Sequence, residues 1–94
     1  MVTYPVTVER KTYRGSKEAL RRKASEYNRV AAELEEYINS QLLKQTEEVR
    51  VYHYHEIAVA TGYPLERVRE ILFSVDGGHN GFTARKPTNI DDLG

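Results

Sequence analysis

Apolar residues recur at steps of three and four from Leu20 to Leu42, through Ala24, Tyr27, Ala31, Leu34 and Ile38. That spacing lines one face of an α-helix, with Val30 and Tyr37 beside the stripe. No Pro or Gly interrupts residues 16–61. The Ser16 hydroxyl is suited to accept an otherwise unpaired first-turn amide, so Ser16 is the expected N-cap. A helix over 17–46 would be about 45 Å long. Such a rod exceeds what a small globule covers, so two arrangements stay open. The stripe packs on the rest of the chain, or residues 20–42 pair two copies as a homodimer.

The flanking segments carry a different period. Val6 and Val8 fall on one parity of residues 1–14 and Thr7 and Tyr13 on the other, between Pro5 and Gly15. This reads as an edge strand or an extended arm. Val49 to Tyr54 alternates and is rich in strand formers. His55 to Thr61 then reads as a short helix stopped at Gly62. Pro64 suits the first turn of a second helix, where its missing amide is not needed, and Glu66 faces the positive end of the dipole. Asp76-Gly77-Gly78 ends that helix, Asn80-Gly81 signals a tight turn, and Phe82 to Lys86 forms another strand. Residues 87–94 read as a loose polar tail. The expected organisation is an arm or strand over 1–15, a long amphipathic helix over 16–48, a compact module over 49–86, and the tail.

Composition narrows the class. At 94 residues this is one small domain. With no Cys there is neither a disulfide framework nor a thiolate metal site. No apolar run approaches the roughly 20 residues that span a bilayer, and the N-terminus lacks a signal-peptide core. A soluble, cytoplasmic protein without membrane partners is expected. The formal charge is zero, yet its distribution is uneven. Arg10 to Arg29 holds eight basic residues against Glu18 and Glu26, whereas Glu33 to Glu48 holds five Glu against Lys44. A basic front is followed by an acidic middle.

The stretch Tyr54 to Phe73 suits two short helices crossing steeply over a brief turn. Ala58 is small at the crossing, and Gly62 reaches positive φ without a Cβ penalty. Ile57, Tyr63, Val68 and Ile71 supply shared core, and Leu72 extends it. This pattern resembles the helix-turn-helix superfamily, and the strand before it with the Gly-rich turn and strand after it resemble the winged form. The resemblance spans residues 50–86 and implies an α+β winged helix-turn-helix with a long N-terminal helix and a small β-sheet. The second edge of a short wing would come from residues 49–54 or 6–12.

What the resemblance implies is binding of double-stranded DNA, with the second helix in the major groove and the wing at a neighbouring phosphate or minor groove. By position, Glu66, Arg69 and Glu70 lie on the outer face with Arg67 at its flank. Arg69 would pair with guanine in bidentate fashion. His79, Asn80, Arg85 and Lys86 occupy the wing, and Arg21, Arg22 and Lys23 give a flanking electrostatic grip. A two-fold dimer would read inverted half-sites. Charge opposes part of this: Glu66 and Glu70 face a polyanion, and residues 50–94 carry five basic and six acidic residues. The alternative is a protein-interaction module whose acidic surface, Glu33, Glu35, Glu36, Glu66 and Glu70, meets a basic partner.

Other signals are weaker. His53, His55 and His79 could hold zinc, but no carboxylate pattern fixes them, and no metal or other cofactor is expected. Seven Tyr are present; Tyr4, Tyr13, Tyr52 and Tyr54 suit half-buried sheet positions or base stacking. No nucleophile motif, phosphate loop or catalytic carboxylate pair occurs, so enzyme activity is not expected.

Overall fold

The helical stripe folds as expected and becomes the spine of the core. In the computed structural model, which describes residues 1–87, α1 runs Glu18–Lys44 and buries Tyr27, Val30, Ala31, Leu34, Ile38 and Leu42. These side chains pack within the chain together with Val68, Ile71, Leu72 and Phe82. The seam from Tyr27 to Leu42 is therefore filled in cis. Leu20, at the other end, remains 43% exposed.

Both ends of α1 differ from expectation. Lys17, not Ser16, is the N-cap, and it makes no side-chain capping bond. The Tyr13 hydroxyl instead accepts the Lys17 amide at 3.3 Å. At the other end the helix stops at Lys44, because Gln45 turns extended (φ −67°, ψ 128°). That turn buries the Gln45 side chain, which is only 4% exposed. Its amide donates to the carbonyls of Glu47 (2.9 Å) and Ala84 (3.2 Å), and its oxygen accepts the Tyr52 hydroxyl at 2.7 Å. A buried amide with three partners offsets its desolvation and ties the helix end to the sheet.

The sheet has two antiparallel strands, β1 (Val49–His53) and β2 (Gly81–Arg85), in register from Val49 opposite Arg85 to His53 opposite Gly81. Tyr52 and Phe82 stack across it at 5.3 Å. Asn80-Gly81 is not a hairpin tip, since Gly81 already pairs with His53 and β2 starts there. Of the two segments expected to pair with this strand, 49–54 and 6–12, the first does so, as β1. On the far side of β2, Val2 forms a single parallel bridge to Ala84.

Beyond Val2 the N-terminal segment is an arm, not a strand. Its backbone is held by α1 side chains. Asn39 both accepts from the Val6 amide (2.8 Å) and donates to its carbonyl (3.0 Å). Asn28 does the same to Lys11 at 2.7 and 2.9 Å. Between them Glu35 accepts the Val8 amide at 2.8 Å and pairs with Arg10 at 3.3 Å. Positions 28, 35 and 39 share one side of a helix, so α1 serves the arm as a ladder while Val6 and Val8 enter the core.

Between the strands lie α2 (Tyr54–Thr61) and α3 (Leu65–Asp76). Gly62 at φ +82° ends α2 and Gly77 at φ +71° ends α3. Each adopts the left-handed conformation that other residues resist. Pro64 caps α3 at φ −61°, one position earlier than expected. Tyr54, fully buried, opens α2 and shares its hydroxyl proton between the carbonyls of Leu72 (3.2 Å) and Gly78 (3.0 Å). The architecture is α+β, with three helices and one two-stranded sheet among the described residues. Of the expected tail, all but Pro87 lies outside them.

Candidate nucleic-acid interface

The exposed side of α3 follows from which residues it buries. Val68, Ile71 and Leu72 turn inward, so Glu66, Glu70 and Phe73 form the outer ridge. Phe73 is 48% exposed and packs against the His79 ring at 5.7 Å. Sequence reading assigned Phe73 no role; its place off the Val68–Ile71–Leu72 stripe was the available signal.

The two arginines of α3 occupy opposite flanks of this ridge. Arg69 lies beside His79 and donates from Nε to the His79 carbonyl at 2.9 Å. That bond holds the side chain through Nε and does not use its terminal guanidinium nitrogens. Arg67 turns the other way, toward α1. Its guanidinium stands 5.9 Å from the Tyr27 ring centre and reaches Glu70 at 3.9 Å.

The four residues assigned to a wing separate into two pairs. His79 and Asn80 lie in the α3–β2 connection, beside the C-terminal end of α3. Arg85 and Lys86 lie at the far end of β2, where the Lys86 amide donates to the Glu48 carbonyl at 2.9 Å. Four strand residues, 81–84, lie between Asn80 and Arg85, and five extended steps part the pairs by about 16 Å, so they do not act as one loop. The reason is that β2 runs extended along β1 and carries Arg85 and Lys86 to the end away from His79 and Asn80.

The basic front of the sequence forms the more coherent surface. Every residue of α1 from Glu18 to Lys23 is exposed, and so are Arg14, Lys17 and Arg29. Arg22 pairs with Glu18 at 3.2 Å, and Arg21 donates to the Gly15 carbonyl at 3.2 Å. Arg14, Lys17, Arg21, Lys23 and Arg29 form no ion pair among the described residues. This surface reaches α3 through a cleft of about 620 Å³, lined by the end of the arm, the first turns of α1, and Arg67 and Glu70. Lys11 lies there with its ammonium 4.4 Å from the Tyr27 ring centre and 4.0 Å from Glu70. Burial, then the negative charges of Glu70 and Glu9, push the Tyr27 phenol above its ordinary range, so it stays neutral beneath the two cations.

His53, His55 and His79 fall on β1, α2 and the α3–β2 connection. Among the described residues no three His, Cys, Asp or Glu side chains stand together in a way that could hold a metal ion. No helix there is long and apolar enough to cross a membrane. No family model, characterised protein or solved structure matches the chain.

Proposed function

We propose that α2, Gly62 and α3 form the helix-turn-helix of a reduced winged-helix domain and that the protein binds duplex DNA. The observation that carries this reading is that basic residues of the arm, of the exposed end of α1 and of α3 (Lys11, Lys23 and Arg67) line one cleft, where they outnumber Glu26 and Glu70. The outer side of α3 is open to solvent, which the reading requires. The sheet is smaller than in a full winged form, with β1 as the partner of β2 and no hairpin tip between them. Phosphate affinity is assigned to Arg14, Lys17, Arg21, Lys23 and Arg29, with Arg22 contributing less because Glu18 neutralises it. Base discrimination falls to Arg69, the arginine beside the ridge that forms no ion pair among the described residues. Glu66 and Glu70 oppose close approach of the ridge itself, so shape and phosphate contacts dominate over base readout.

Fluorescence anisotropy with a labelled duplex at low salt tests the reading. Arg21→Glu with Lys23→Glu is expected to raise Kd about tenfold or more, since two phosphate contacts become repulsions. Arg69→Ala is expected to flatten preference among sequences while leaving overall affinity nearly unchanged.

A second reading has one specific observation in its favour. An exposed Phe73 flanked by Glu66 and Glu70 is a small apolar ridge with acidic rims, suited to a basic protein partner. Duplex binding indifferent to both substitutions would favour this reading.

A further inference from the structure

We infer that the cleft between the arm, α1 and α3 is a binding site for a small organic monoanion, a carboxylate carried on an aromatic or branched hydrocarbon body. The cleft shares Lys11, Lys23 and Arg67 with the DNA reading, but the inference follows from the cleft's own size, charge and lining and is tested without DNA. Its volume of about 620 Å³ falls inside the range of about 300–1,000 Å³ usual for small-molecule sites.

Its charges are unbalanced. Lys11, Lys23 and Arg67 face Glu26 and Glu70, a surplus of one positive charge. Lys11 and Arg67 both reach for the same Glu70 carboxylate, at 4.0 and 3.9 Å. A close charge-assisted bond measures about 2.8 Å, so neither cation is satisfied by Glu70. Lys23 has no ion-pair partner among the described residues. One added carboxylate neutralises the surplus, and the flat fork of Arg67 matches its two oxygens. A polyphosphate would overshoot the surplus and meet repulsion from Glu26 and Glu70.

The remaining wall is apolar. Leu20 and Ala24 continue the α1 stripe past the point where the core ends and line the cleft together with Tyr13. Leu20 remains 43% exposed there, the one large aliphatic member of the stripe not covered by its own chain. A hydrocarbon body laid against Leu20 and Tyr13 removes that surface from water while its carboxylate meets Lys11 and Arg67, the two cations at Glu70, in a cleft that Lys23 also lines. The Tyr27 face is already occupied by Lys11 and Arg67, so Tyr13 is the ring that meets the ligand.

Titration of the ¹⁵N-labelled full chain with 2-naphthoate, followed by amide shifts, tests the site. Saturable shifts confined to Lys11, Tyr13, Leu20, Lys23, Tyr27 and Arg67 are expected. Inorganic phosphate and the neutral 2-naphthalenemethanol should each bind at least about tenfold more weakly, since each lacks one of the two features the cleft reads. Lys23→Glu and Leu20→Ser both alter exposed side chains; each should weaken 2-naphthoate about tenfold. Leu20→Ser should leave the response to phosphate unchanged. Shifts that do not saturate, shifts centred elsewhere, or equal binding of the neutral alcohol or of phosphate would overturn the assignment.

Discussion

Gly62 is held at φ +82° with nothing within 4 Å of where a Cβ would stand. Its requirement is conformational and not steric. Gly62→Ala is therefore expected to lower stability by about 1 kcal/mol in urea unfolding, through the left-handed backbone alone; an unchanged midpoint would contradict this. The buried tyrosines carry a second residue-scale consequence. Burial raises the phenols of Tyr27, Tyr52 and Tyr54 above 10.0. Nearby acids add to the rise at Tyr27 and Tyr54, and Arg50 opposes it at Tyr52. In the unfolded chain these groups lose their protons first, so the stability they contribute is complete below pH 10 and is lost as pH climbs through their folded values. Thermal melts should show a falling Tm above about pH 10, and ionisation of these three at 295 nm should coincide with unfolding. Gly62 was legible because a positive φ selects for Gly between two helical patterns. Gln45 was not, since burying a lone amide depends on Tyr52 and Ala84 arriving from distant segments.

At the scale of elements, the long helix and the two short ones follow from their apolar spacing, and the ends were harder to read. α1 stops where Gln45 enters the core, and β2 begins one residue early because Gly81 fits against Tyr52, where a Cβ would collide with the backbone. Alternation alone leaves strand and arm open over residues 1–14, because it does not say what pairs with the backbone. Here the partner is a set of α1 side chains, Asn28, Glu35 and Asn39, whose shared face was visible in the sequence but whose target was not. Asn39→Ala removes both bonds to Val6 and leaves a half-buried amide and carbonyl without partners. The expected cost is about 1–3 kcal/mol. Hydrogen exchange should quicken at the Val6 and Val8 amides while protection of Ile71 and Leu72 persists. Retained protection at Val6 would show that apolar packing alone holds the arm.

For the molecule as a whole, charge and shape divide the work differently from the sequence expectation. The sequence pattern sets Glu66, Arg69 and Glu70 on one outer face, with Arg67 at its flank and a four-residue wing beside it. The folded chain turns Arg67 toward Tyr27, pins Arg69 to His79, and parts His79 and Asn80 from Arg85 and Lys86. What was legible was the basic segment, since exposed helix charges stay where the sequence puts them. Which side chains share the cleft was not, because Lys11, Lys23 and Arg67 meet only through the docking of the arm and α3 on α1.

Duplex affinity measured against salt concentration probes this division directly. With Arg14, Lys17, Arg21, Lys23 and Arg29, which form no ion pair among the described residues, engaging phosphates, log K should fall with log salt at a slope of about −4 to −5. The slope should shrink by about one for each of Lys17, Arg21 or Lys23 changed to Ala. Duplex binding that is absent at low salt, or whose slope ignores all three substitutions, would contradict the assignment of this surface to DNA.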